Sequence, residues 1–205
     1  MSRERDRERM VARLRERDDI GERALDALAA VPRHEFVPPA RRDEAYADRP
    51  LPIGEGQTIS APHMVAAMAD LLDPRPGDRV LEIGTGCGYH AAVTAELGAD
   101  VFSVEYHAPL AERARERLDR LGYGVAVRAG DGREGWPEHA PYDACYLTCA
   151  AESVPDALFA QVRPGGTLLA PVGGATQRLV AFTVGEGACV RDRTDHGGVR
   201  FVPLL

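Results

Sequence analysis

The 205-residue chain has no lysine and no asparagine, and all 25 of its basic residues are arginine. A GC-rich genome favours Arg, Ala, Gly and Pro in this way. A salt-adapted proteome would also shed lysine, and the modest acid surplus, a net charge of −7, leaves both readings open. That balance argues against a general nucleic-acid binder. No apolar run reaches the roughly 20 residues of a membrane span. The opening Met1-Ser2-Arg3-Glu4-Arg5-Asp6-Arg7 lacks the apolar core of a signal peptide. The expectation is a cytoplasmic monomer with no nucleic-acid or membrane partner. Cys87, Cys145, Cys149 and Cys189 form no Cys-x-x-Cys pair and no metal-finger spacing. They read as structural thiols, and no metal site is expected.

What is present is concentrated in one stretch. Val80-Leu81-Glu82-Ile83 runs into Gly84-Thr85-Gly86-Cys87-Gly88, and a helical pattern follows from Tyr89 to Leu97. Glycine lacks Cβ and tolerates positive φ, so ligand can approach the backbone of such a turn closely. The helix behind it aims free N–H groups at the same place. The spacing is Gly-x-Gly-x-Gly, tighter than the dinucleotide fingerprint. Glu105 ends the next apolar run, roughly 20 residues on, where an acid reaches ribose hydroxyls. Asp131-Gly132 follows a third strand. Glu82, Glu105 and this turn resemble those of S-adenosylmethionine-dependent methyltransferases.

Along the chain, residues 2–18 alternate acid and arginine and predict a solvated helix with i,i+4 ion pairs. Residues 21–30 continue as a short helix with Leu25 and Leu28 inward. A loop over residues 49–63 is too long for a simple connector, and such loops are often functional. Ser60 or Ala61 caps the helix that follows, with Pro62 in its first turn. Strands are expected at 79–83, 101–105, 125–129, 142–148 and 167–172, and helices at 89–97, 108–121 and 153–162. Pro164-Gly165-Gly166 should stop the last helix, and residues 178–184 and 199–204 read as two more strands. This alternation implies an α/β fold with a parallel sheet and helices on both faces.

The segment Ile53-Gly54-Glu55-Gly56-Gln57-Thr58-Ile59-Ser60-Ala61-Pro62-His63-Met64 closely resembles the signature of protein-L-isoaspartate O-methyltransferases. Gly130-Asp131-Gly132, Tyr142-Asp143-Ala144, Arg163-Pro164-Gly165-Gly166-Thr167-Leu168 and Val199-Arg200-Phe201-Val202-Pro203-Leu204 resemble later motifs of the family, in order. The resemblance spans about residues 21–205. It implies a doubly wound, mostly parallel, Rossmann-like methyltransferase sheet with an N-terminal helical extension. Residues 1–60 would be a helical segment and substrate loop packed on a cofactor domain, residues 61–205. Cys87, Tyr106-His107, Glu55 and Glu152 depart from the family's usual residues, and the chain ends before contacts seen in longer members.

The resemblance further implies S-adenosyl-L-methionine as cofactor, S-adenosyl-L-homocysteine as product, and isoaspartyl-containing proteins and peptides as substrates. Ser60 would be the active-site residue, with Ile53, Gly54, Thr58 and Ile59 around the substrate. His63, Glu82, Gly84, Thr85, Gly86, Gly88, Glu105, Tyr106, Asp131, Gly132 and Thr148 would face the cofactor. Glu105 is expected on the ribose and Asp131 on the adenine amino group. Glu82 would organise the glycine turn or meet the methionine amino group. His90, His107, His139 and His196 receive no role. A carboxylate nucleophile is already ionised at neutral pH, so the lack of a catalytic dyad fits this chemistry. A methyltransferase for an aspartate of one dedicated peptide, and a non-catalytic isoaspartyl-binding adaptor, are the alternatives.

Overall fold

The computed structural model describes residues 3–17 and 19–205. Ser2 and Asp18, the ends of the expected first helix, lie outside the described residues. α1 (Arg3–Arg15) is charged over most of its surface, yet Met10, Val11 and Leu14 are buried at one-turn spacing. Its arginines pair mostly with other segments rather than along the helix as expected. Arg3 reaches Asp43, and Arg15 reaches Glu22 and Asp26, each at 2.9 Å. The stripe packs on α2 (Glu22–Ala30), whose Leu25 and Leu28 are buried.

The expected loop 49–63 is a small hairpin, β1 (Leu51–Gly54) and β2 (Gln57–Ile59), antiparallel with Leu51 opposite Ile59. Glu55 (φ 52°) and Gly56 (φ 71°) both sit in the left-handed region. A two-residue hairpin turn needs that, and it is why a glycine stands there. α3 (Pro62–Leu72) follows, with Pro62 in its first turn. Its cap is Ala61, with no side-chain hydrogen bond, so the Ser60 hydroxyl does not cap it.

The main sheet then builds: β3 (Arg79–Ile83), α4 (Tyr89–Glu96), β4 (Asp100–Glu105), α5 (Ala108–Leu121), β5 (Ala126–Ala129), β6 (Tyr142–Leu147), α6 (Asp156–Phe159), β7 (Val162–Val172), β8 (Gln177–Val184) and β9 (Val190–Val199). Spatial order is β5-β4-β3-β6-β7-β8-β9. β5 to β7 are mutually parallel in this order, and β8 and β9 complete the sheet antiparallel. β3 is buried at every position from Val80 to Ile83, as a central parallel strand must be. α5 buries Leu110, Ala111, Ala114 and Leu118 on one stripe and stops at Gly122 (φ 81°), a left-handed helix end. One face of the sheet carries α1 to α5 in a single core with Val80, Val101 and Val127. The other face has only the short α6, 3₁₀ turns and the chain's last residues against Leu81, Ile83 and Val104.

Two expectations fail here. Pro164-Gly165-Gly166 does not end a helix over 153–162, because that helix is one turn long and the three residues lie inside β7. The pairing slips between Tyr142 and Ala144, and a Cβ on Gly166 would stand 2.6 Å from the Asp143 carbonyl oxygen. The triplet is thus an in-strand irregularity that keeps the strands close. The final strand is 190–199, not 199–204. Its run of charges has no inward face to announce it, and it is a polar edge that pairs through backbone and the Arg178–Asp195 ion pair. Residues 201–204 instead cross the end of the sheet, where Ala150 N–H donates to the Val202 carbonyl at 2.7 Å and Leu204 N–H to that of Ala150 at 2.8 Å.

Leu28 is fully buried where α2 meets the main core. Leu28→Ala should cost about 2–5 kcal/mol of unfolding free energy, read from denaturant midpoints. Val190→Ala, on the exposed edge, should stay within about 0.5 kcal/mol.

Candidate active site

Strand order reverses between β3 and β6, and the crevice beyond their carboxyl ends is where α/β sheets bind ligands. The residues leaving those ends are Gly84 and Thr148. Thr148 N–H donates to the Ile83 carbonyl at 2.9 Å, and its hydroxyl to the Gly84 carbonyl at 2.5 Å. Gly84 (φ 97°) leaves no room for a side chain, since a Cβ would stand 2.4 Å from Thr148 Oγ1. On Gly86 (φ 56°) a Cβ would press on Ile53 of the hairpin at 3.2 Å. The turn therefore offers bare backbone on one side and is gripped on the other.

Glu105 supplies the grip. Its Oε2 accepts from Gly86 N–H at 2.8 Å and its Oε1 from His107 N–H at 2.9 Å. It is 5% exposed and lines a cavity with Thr58, Gly84, Gly86, Tyr106 and Gly132. Tyr106 is 55% exposed at the rim. The tail residues Val202 to Leu205 form the opposite wall. A second, open groove runs past Ser60, His63 and Met64 to Gln177 and Arg200. His63 is oriented there by Asp48, whose Oδ1 meets both its backbone N–H and its Nδ1 at 2.9 Å. Between the two lies a small chamber walled by Thr58, Ile59, Ser60, Gly84, Thr85 and His90, among others. Thr58 and Thr148 belong to all three spaces.

Three of the expected cofactor residues stand apart from these walls. Glu82 is completely buried behind the turn, accepting from Ser103 Oγ at 2.5 Å and Tyr146 Oη at 2.9 Å. Burial raises its carboxyl to about 8. It organises the turn through Ser103, whose hydroxyl also meets Thr85 Oγ1 at 2.5 Å. Asp131 lies outside the cavity and spends both carboxylate oxygens on Arg133, which holds it below the usual carboxylate range. Its neighbour Gly132 reaches the wall. Gly88 (φ 87°) begins α4 against Leu118 and lines none of the three spaces. Ile53 and Gly54 lie on the hairpin, on the side away from the groove that holds Ser60. Cys87, raised by burial, is a protonated thiol in the chamber wall.

Sequence reasoning missed Gln57 and His107, whose side chains meet at 3.3 Å and pin the hairpin over the first cavity. It also missed the tail as a wall and His90 as a chamber residue. His90 follows directly on the glycine turn in the first turn of α4, which was a usable signal. Among the described residues no cluster of His, Cys, Asp or Glu is placed to hold a metal ion. No helix among them is long and apolar enough to cross a membrane.

A mostly parallel seven-stranded sheet with this order and a glycine turn at its switch point defines a Rossmann-like methyltransferase. Residues 5–205 match the family described as Protein-L-isoaspartate(D-aspartate) O-methyltransferase. The chain belongs to that family. It is 52% identical over 202 residues to protein-L-isoaspartate O-methyltransferase 2 of Archaeoglobus fulgidus, covering 97% of this chain and 92% of the relative. A solved protein-L-isoaspartate O-methyltransferase superposes with a TM-score of 0.85 at 29% identity, over 96% of this chain and 65% of that longer one. A Plasmodium falciparum chain solved with S-adenosyl-L-homocysteine gives a TM-score of 0.84 at 23% identity, over 97% of this chain and 98% of that one.

Glu82 makes stability depend on pH. Unfolded, it would lose its proton near the ordinary value; folded, it keeps it to about 8. The fold is therefore favoured fully below about pH 4 and loses that advantage as pH rises toward 8. Glu82→Gln should gain in melting temperature relative to the parent as pH is raised through this window, as scanning calorimetry at several pH values would read. A constant difference would show that the carboxyl is ionised in the fold.

Proposed function

We propose that this enzyme transfers a methyl group from S-adenosyl-L-methionine to the free α-carboxylate of L-isoaspartyl residues in damaged proteins and peptides. The ester then closes spontaneously to a succinimide, which reopens in part to normal aspartate. The observation that carries this reading is the shared wall. The chamber holding Ser60 joins the glycine-turn cavity to the open groove through Thr58 and Thr148. A cofactor seated on the turn and a polypeptide in the groove would meet there.

When bound, S-adenosyl-L-methionine supplies an electrophilic methyl group and departs as S-adenosyl-L-homocysteine. The residues fit it. Gly84 and Gly86 give the side-chain-free approach, and Glu105 presents a carboxylate where ribose hydroxyls would lie. Gly132, Tyr106 and the tail would enclose the base, with Asp131 acting only by shaping the turn beside it. Ser60 donates a hydrogen bond to the substrate carboxylate and fixes its aim, and Thr58 and Ile59 border the same chamber. The hairpin carrying Ile53 and Gly54 shuts water out from above. No side chain takes a proton, because the nucleophile arrives ionised.

Residues 1–60 and 61–205 work as one structural unit in this reading, supported by the single core that joins α1 and α2 to β3. We place the enzyme in the cytoplasm as a monomer without nucleic-acid or membrane partners. The net charge of −7 weighs against a nucleic-acid partner.

Ser60→Ala should leave S-adenosyl-L-homocysteine affinity nearly unchanged while cutting methyl transfer about 10- to 100-fold, the value of one hydrogen bond to a charged group. Calorimetry and a labelled-methyl assay separate the two effects. The function itself is tested with two peptides differing only in an isoaspartyl or an aspartyl linkage. Methylation confined to the isoaspartyl peptide is expected. Equal rates would favour an enzyme for ordinary aspartate, and binding without turnover an adaptor.

A further inference from the structure

His90 is 7% exposed, and its Nδ1 is buried without a hydrogen-bond partner. Its ring packs on Tyr146 at 4.5 Å between centroids. It nevertheless lines the chamber shared by Ser60, Gly84 and Thr148. Burial alone lowers it to about 3, with no neighbouring charge or hydrogen bond contributing. A buried polar atom normally has a partner, and here the protein provides none.

From this position we propose that His90 hydrogen-bonds the charged amino-acid end of the cofactor. The inference rests on the cofactor reading above. The chamber adjoins the glycine turn at the end nearest Ser60, whereas Glu105 and Tyr106 line only the other cavity. If Glu105 holds the ribose, the amino-acid end and the methyl group lie on the chamber side. A neutral imidazole has one donor and one acceptor nitrogen, which suits a group carrying both a carboxylate and an ammonium. Its neutrality also matters. An imidazolium here would repel the ammonium and the sulfonium together, and the chamber wall contains no Asp or Glu to offset it.

The test compares two ligands that share the thioadenosine portion. S-adenosyl-L-homocysteine has the amino-acid end; 5′-methylthioadenosine lacks it. His90→Phe keeps the stack on Tyr146 and removes both nitrogens. Its Kd for S-adenosyl-L-homocysteine should rise about tenfold or more, with the Kd for methylthioadenosine changed less than about twofold. His90→Gln restores a donor and an acceptor and should recover most of the loss. Glu105→Ala should weaken both ligands. In the unaltered protein, the His90 ring nitrogen resonances should move with S-adenosyl-L-homocysteine and not with methylthioadenosine, a readout that needs no variant to fold. Equal losses for both ligands, no loss for either, or unmoved resonances would overturn the assignment. A parent protein that binds neither ligand would overturn the cofactor reading and this role with it.

Discussion

The buried carboxyl of Glu82 is the point on which the site hangs. It is the only acid in the strand interior of β3, and it accepts from side chains on β4 and β6 at once. Ser103 passes the connection to Thr85 in the glycine turn, and Tyr146 passes it to Thr94 on α4 at 3.0 Å and to the ring of His90. Four elements that meet the ligand crevice are thereby tied together by one connected polar network. Such a network is costly if broken and specifies a single arrangement when complete. An apolar residue at position 82 would take from Tyr146 and Ser103 their shared carboxyl partner and leave each with one hydroxyl, Thr94 and Thr85, so the turn would lose its tie to β3.

Around that anchor the site is assembled from segments far apart in sequence. The hairpin, the glycine turn, the loop after β6 and the final residues each contribute one wall. Only the turn is held by the deep network. The hairpin is fastened differently, by Leu51, Ile53 and Ile59 buried in the main core, with Gln57 on His107 and Arg113 near Glu55 at 3.7 Å adding polar contacts near its turn.

Legibility in the sequence followed how local each determinant was. α5 declares itself through Leu110, Ala111, Ala114 and Leu118, and its expected bounds match. β3 and its turn are equally plain, because apolar run, glycines and helix stand together. The edge strand over 190–199 was hidden because it buries no side chain and its pairing depends on β8, a partner its own pattern does not show. The bulge at Pro164-Gly165-Gly166 looked like a helix stop because Gly165 answers a positive φ of 80° and Gly166 the approach of Asp143, neither of which a short motif shows. For the site, Ser60, Thr58 and Glu105 were visible from motif order. The displacement of Glu82 and Asp131 from the walls was not, since it depends on Ser103, Tyr146 and Arg133, which no short motif includes.

On the function proposed above, the electrostatics of the chamber fit the chemistry assigned to it. The reaction joins a carboxylate to a sulfonium-borne methyl and ends with a neutral ester and a neutral sulfide. Charge disappears along the way, so a medium that solvates ions strongly favours the starting materials. Among the chamber's wall residues, Cys87 and Tyr89 are raised by burial and His90 is lowered, so all three are neutral near pH 7. The one carboxylate nearby, Glu105, is turned toward backbone N–H groups in the adjoining cavity. A wall of uncharged donors and acceptors would orient both partners without stabilising either of them as an ion. No arginine lines the chamber itself; the nearest stand behind its wall, Arg33 over the Tyr89 ring at 4.8 Å and Arg117 donating to the Cys87 carbonyl at 2.8 Å, so fixed positive charge backs the wall without entering the space.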